Sequence, residues 1–158
     1  MRDKSTEIKA KWVVGIYRFG NYLYYSKSKL VKCLTPIYKL LDLVFNKLLL
    51  NTEIPAKVQI GEGLAIYHPY GIIINDDAVI GENCILHHQV TIGNKGVTNK
   101  ANLAPEIGNN CEIGAGAKVI GNIKIGSNTK IGANAVVVKN SLPDAILVGV
   151  PAINIKEK

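Results

Sequence analysis

The chain has 158 residues, a mass of 17.1 kDa and a formal charge of +7, enough for one hydrophobic core and too little for two full-sized domains. The surplus sits in residues 1–50, with ten Lys/Arg against three Asp/Glu; from residue 51 onward nine bases balance nine acids, which leaves no electrostatic footprint for a nucleic acid. Cys33, Cys84 and Cys111 lack CxxC or Cys/His ligand spacing, which argues against a disulfide framework and a structural zinc site and for a reducing, cytoplasmic home.

Eight of the ten aromatic residues lie in the first 50 positions and thirteen of the fifteen glycines lie after them. The chain therefore divides near Asn51 into a basic, aromatic-rich helical segment, 1–50, and a second unit, 51–158. In the first, Trp12, Val13, Ile16, Tyr17 and Phe19 form one face of a short helix, with a break expected at Gly20-Asn21. Thr35-Pro36 reads as an N-cap with proline in the first turn. Ile37, Leu40, Leu41, Val44 and Leu48 follow at helical spacing, which predicts a helix over about 36–50. The most apolar window, LLDLVFNKLLL, is interrupted by Asp42, Asn46 and Lys47, so neither a membrane span nor a signal peptide is expected.

The second unit is an internal repeat. Ile107, Ile113, Val119, Ile125, Ile131 and Val137 are six apart, and glycine follows four of them. Six is neither a helical period nor a heptad, and each glycine would cost a helix roughly 1 kcal/mol relative to alanine, so the hexads are short strands and turns. A mostly small side chain follows four residues after each marker: Cys111, Ala117, Ile123, Thr129, Ala135 and Ser141. One large and one small inward position per hexad describe a narrow solenoid.

The same frame recurs upstream at Ile74, Ile80, Leu86 and Ile92, with Ala78, Cys84 and Val90 in the small slot. Nine extra residues before Ile107 predict a loop extruded over about 94–106. Earlier still, Ile54, Ile60 and Ile66 keep the frame, but Ile66 to Ile74 is eight. The two extra residues fall in His-Pro-Tyr-Gly, where proline fixes φ and glycine permits positive φ. The slip sets His68 outside a regular corner. Imidazole titrates near neutrality, so at a cleft it can take a proton from an alcohol and return it to a leaving group.

From Glu53 to the C-terminus the chain resembles serine acetyltransferases and the related O-acetyltransferases found with cell-surface polysaccharide genes. The resemblance is carried by IGAGAKVIGNIKIG (113–126) and GVPA (149–152). It implies a mainly β fold, a left-handed parallel β-helix with three hexads per coil, although the usual rule for parallel connections would give the opposite hand. It implies that Cys84 and Cys111 stack one coil apart in the core, as small hydrophobes. It also implies a general base at His68, followed by Gly71-Ile72 as in the family, and an orienting carboxylate fifteen residues earlier at Glu53, where serine acetyltransferases usually have aspartate.

The resemblance implies acetyl transfer from acetyl-CoA to an acceptor hydroxyl without a metal, with the CoA arm on backbone groups near Gly93, Ala115 and Ala133. It further implies a homotrimer with its sites between subunits. Serine acetyltransferases carry Arg-His before a proline in the extruded loop and aspartate before the catalytic histidine; this chain has Leu103-Ala104 before Pro105, and Tyr67. A zwitterionic acceptor thereby loses two charged contacts, each worth roughly 1.5 to 3 kcal/mol. The acceptor expected is therefore a sugar hydroxyl of a cell-surface polysaccharide or its precursor, with Tyr67 and Tyr70 to stack on the ring and His88 one coil beyond His68 on the same face. Serine is the alternative acceptor.

Three readings concern other features. Residues 1–50 are basic, aromatic and amphipathic, which suits either peripheral contact with the inner face of the cell membrane or packing on the first coil or a neighbouring protomer. Stacked His68 and His88 resemble carbonic-anhydrase-like hexapeptide proteins, but the third zinc ligand would have to be His87, which points the other way in a strand. A catalytically silent trimeric scaffold is the remaining alternative. Lys118, Lys124 and Lys130 fall on different faces and form no phosphate patch, and Gly93 lies outside any phosphate-binding motif.

Overall fold

A computed structural model describes residues 7–96 and 104–156. The expected loop over 94–106 leaves the coil at Asn94 and re-enters it at the buried Ala104; residues 97–103, Leu103 among them, lie outside the described residues. The coil is a left-handed parallel β-helix with three faces. One face stacks Gln59–Ile60, Val79–Ile80, Glu106–Ile107 and Lys124–Ile125. The second stacks Ala65–Tyr67, Ile85–His87, Glu112–Ile113, Lys130–Ile131 and Ile146–Gly149, and the third Ile73–Ile74, Thr91–Gly93, Lys118–Ile120 and Val136–Val137.

Every marker isoleucine, leucine or valine of the hexads is buried, and so is every small-slot residue except the half-buried Ser141. Full burial of each large side chain contributes about 1.5 to 3 kcal/mol before entropy is counted. The two core thiols stack as expected: Ile85 pairs with Glu112, which sets Cys84 beside Cys111, and both are fully buried. The Cys84 thiol is held well above its usual range, first by the neighbouring Cys111 thiol and then by burial. Buried Thr129 satisfies its hydroxyl by donating to the Gly126 carbonyl at 2.6 Å.

The corners require left-handed backbone. In one column Gly63, Asn83, Asn110, Asn128 and Asp144 have φ between 55° and 75°, a region that glycine enters freely and Asn or Asp tolerate. Side chains along this column bond to the coil below: Asn110 Nδ2 donates to Asn128 Oδ1 at 3.1 Å, and Asn128 Nδ2 to Asp144 Oδ1 at 3.2 Å. At the far end Ala152–Asn154 turns back antiparallel on Ile146–Gly149.

The near end is closed by helix α1, Ile8–Tyr25, whose Ala10, Val13, Val14 and Tyr17 join the core of the first coil. No break occurs at Gly20-Asn21. The Tyr38 ring lies where a Cβ on residue 20 would stand, 2.2 Å from Cε2, so the glycine serves helix packing. Asn21 donates to the Ala56 and Val58 carbonyls instead of competing for helical backbone. A short turn, α2 (Lys29–Lys32), leads to α3 (Thr35–Leu41).

The single helix expected over 36–50 is interrupted: after Leu41 the chain widens into a π-helical stretch, Asp42–Leu48, where buried Asn46 donates to Asp42 at 2.9 Å. The N-cap of α3 is Leu34 and not Thr35, whose hydroxyl bonds back to the Lys32 carbonyl. The apolar stripe assigned to this helix faces outward at Ile37, Leu40 and Leu48, while Tyr38 turns in. No helix among the described residues is long and apolar enough to cross a membrane.

Candidate active site

The frame slip forms a bulge at the corner between the second and third faces. In successive coils this corner is made by Gly71, Gln89, Gly116 and Asn134, all at positive φ. Gln89 N–H donates to the Tyr70 carbonyl, Gly116 to His88 and Asn134 to Ala115. In the first coil, His68, Pro69 and Tyr70 intervene between the strand and Gly71. Tyr70 N–H closes a tight turn onto the His68 carbonyl at 2.7 Å, and Thr52 Oγ1 donates to the Pro69 carbonyl at 2.9 Å. His68 itself has φ 55°, uncommon for a residue other than glycine, and its side chain is 61% exposed. The bulge thus lifts an imidazole off the wall of the solenoid.

Parallel register places His68, His88, Ala115 and Ala133 at equivalent positions on four successive coils. The His68 and His88 rings meet edge to face with centroids 5.9 Å apart, and the Nδ1 of His88 is buried without a hydrogen-bond partner among the described residues. Ala115 is half-buried and Ala133 exposed below them, at the same corner. Gly93 ends a strand of the third face, one corner further round, where its carbonyl accepts from Gly121 N–H. The residues expected to meet the CoA arm therefore divide: Ala115 and Ala133 continue the histidine column, and Gly93 lies across the third face.

The carboxylate that meets His68 is Glu7. Its Oε1 lies 2.7 Å from Nδ1. Glu53, the partner expected by resemblance, is bridged through its backbone to Ile73 and projects from the third face beside that exposed side chain. Among the described residues no bond engages the Glu53 carboxylate. Nothing in the spacing marks Glu7, which is 61 positions from His68; the signal available was an acidic residue at the start of an otherwise basic helix.

Tyr67 and Tyr70 diverge from the bulge. Tyr67 stacks on His87 at 5.5 Å between centroids, and His87 Nε2 lies 3.3 Å from Glu112. Tyr70 is 40% exposed, accepts from Lys9 Nζ at 2.5 Å, and its ring lies 5.2 Å from that ammonium. The bond to Tyr70 raises the Lys9 ammonium above its usual range. Beside Tyr70 opens a groove of about 490 Å³ lined by Ile8, Lys9, Trp12, Phe45, Leu49 and Leu50. His87 is turned to Tyr67 and Glu112, apart from the His68–His88 pair, and no group of three His, Cys, Asp or Glu among the described residues could hold a metal ion.

Known proteins share this coil. The family "Bacterial transferase hexapeptide (six repeats)" matches residues 104–139. The serine acetyltransferase of Synechococcus elongatus is 34% identical over 106 residues, 67% of this chain and 43% of that one. A protein named for acetyltransferase function in colanic acid biosynthesis, WcaB of Escherichia coli, is 45% identical over 96 residues, 61% of this chain and 57% of that one. The chain spans about half the length of these curated relatives. Among solved structures, serine acetyltransferase from Brucella abortus in complex with coenzyme A superposes with a TM-score of 0.81 at 29% identity, covering 94% of this chain and 56% of that one. By repeat, fold and sequence the chain is a hexapeptide-repeat protein similar to the serine acetyltransferases and to the colanic acid acetyltransferase.

Proposed function

We propose that the protein is an acetyl-CoA-dependent O-acetyltransferase whose acceptor is a sugar hydroxyl, with His68 as general base. The observation that carries this reading is the bulge. In a solenoid otherwise regular at that corner, it presents one exposed imidazole at the head of a column whose lower members, Ala115 and Ala133, are small enough to admit an extended ligand. With Nδ1 engaged by a carboxylate, the lone pair of Nε2 is the free one. It takes the proton of the acceptor hydroxyl as the oxygen attacks the thioester carbonyl. A C–O bond forms, the C–S bond breaks, and the proton passes to the departing CoA thiolate. Holding both substrates in line contributes several kcal/mol, and the base contributes on the order of 10² to 10⁴ in rate.

A sugar is favoured over serine because Tyr67 occupies the position before His68 where an ammonium partner would be needed, and Ala104 replaces a histidine before Pro105. The test is CoA release from acetyl-CoA, by thiol assay, for wild type and His68→Ala with L-serine and a panel of saccharides. Turnover with a saccharide but not serine, lost in the variant, is expected. Rapid turnover with serine would restore the amino-acid acceptor.

The assembly we propose is a homotrimer with each site between two subunits; apolar Ile73 and Val79 on the outside of the coil support it. Peripheral contact of residues 1–50 with an anionic membrane surface is supported by Ile37, Leu40, Leu48 and Trp12, all more than half exposed, within the segment that carries the basic surplus. Cosedimentation with anionic but not zwitterionic vesicles, weakened by Leu40→Glu, checks the second; sedimentation equilibrium checks the first.

A further inference from the structure

We infer that Glu7, at the start of α1, is the positioning residue for His68, and that the helical segment is thereby part of the active site; this rests on His68 being the base. The N-cap of a helix favours Ser, Thr, Asp or Asn, whose short side chains bond the free amides of the first turn. Glu7 occupies that position and makes no side-chain cap bond. Its longer side chain instead spans to the bulge and meets Nδ1 at 2.7 Å. One turn contributes twice, because Lys9 bonds the Tyr70 hydroxyl at the other end of the same bulge.

The platform beneath Glu7 is bonded to the first coil. Arg18 donates to the Ile60 and Gly61 carbonyls at 2.6 Å, and the Tyr17 hydroxyl to the Val58 carbonyl at 2.7 Å. With four α1 residues also buried in the coil core, the helix face that carries these residues is fixed on the first coil. Glu53 sits on the coil itself, yet it is exposed and no bond engages its carboxylate among the described residues. Chemically the arrangement fixes a tautomer: Nδ1–H donates to the carboxylate, Nε2 stays bare to receive the acceptor's proton, and the imidazolium that results faces an anion. A coil lacking α1 would retain His68 without that constraint.

The test combines kinetics with ¹⁵N NMR of the His68 ring in the full chain. Glu7→Gln is expected to lower kcat on the order of 10- to 10³-fold with KM for acetyl-CoA unchanged. It should also convert a single Nδ1–H tautomer into a mixture, since an amide can donate to Nδ1 as well as accept. Glu7→Asp should retain more activity than Glu7→Gln, and Glu53→Gln should leave both readouts alone. A Glu7→Gln protein with wild-type kcat and an unchanged tautomer would overturn the inference, as would a Glu53→Gln protein that loses both. The NMR measurement needs no acceptor, so it decides Glu7 even if His68→Ala proved as active as wild type and the base assignment fell.

Discussion

Two corners of the same solenoid follow one plan and differ at one place. The column from Gly63 to Asp144 turns every coil with a single left-handed residue and ties Asn110, Asn128 and Asp144 together by side-chain bonds. The column from Gly71 to Asn134 also has a left-handed residue in every coil, but in the first coil three residues, His68, Pro69 and Tyr70, stand before it where the next coil has His88 alone, an insertion of two. A corner accommodates such an insertion because the strands on either side keep their pairing: Tyr67 still faces His87, and Ile73 still faces Thr91. The comparison teaches where a repeat of this kind can acquire chemistry without losing its core.

If the two corners divide stability from function, substitutions should separate along the same line. His68→Ala should have the largest effect, a loss of 10² to 10⁴ in turnover with an unchanged melting temperature; a comparable loss of stability would break the distinction. Ile113→Ala, in the fully buried stack between the corners, should cost about 2 to 5 kcal/mol in urea unfolding. A smaller term comes from Tyr38, which burial foremost pushes up to about 12. A phenol raised in the folded state stabilises fully below its unfolded value near 10, and the contribution is lost as pH rises toward 12. Wild type should therefore lose on the order of 2 kcal/mol over that window that Tyr38→Phe does not. Asn128→Ala, in the plain corner, should cost only about 1 to 2 kcal/mol, from alanine's dislike of left-handed backbone, and leave turnover untouched.

The coil was legible because its period of six is a property of the backbone, repeated often enough that one slip of two residues stood out at His68. The stack of Cys84 on Cys111 and of His68 on His88 followed from that count and from the coil length supplied by the resemblance. What escaped depends on contacts between distant positions. Gly20 reads as a helix breaker until the Tyr38 ring is found against it. The outward apolar stripe of α3 and the π-helical stretch after it reflect which side of the helix meets α1, which periodicity leaves open. Glu53 had the right interval from His68, but an interval does not say on which face of the coil a carboxylate emerges, whereas Glu7 reaches the ring from another element.

The most direct test of the account is the structure of the protein with coenzyme A bound. The account predicts the thiol at the bulge, within hydrogen-bond reach of His68 Nε2 directly or through one water, with the arm running past Ala115 and Ala133. A cofactor whose thiol lies on another face, away from His68, would contradict it.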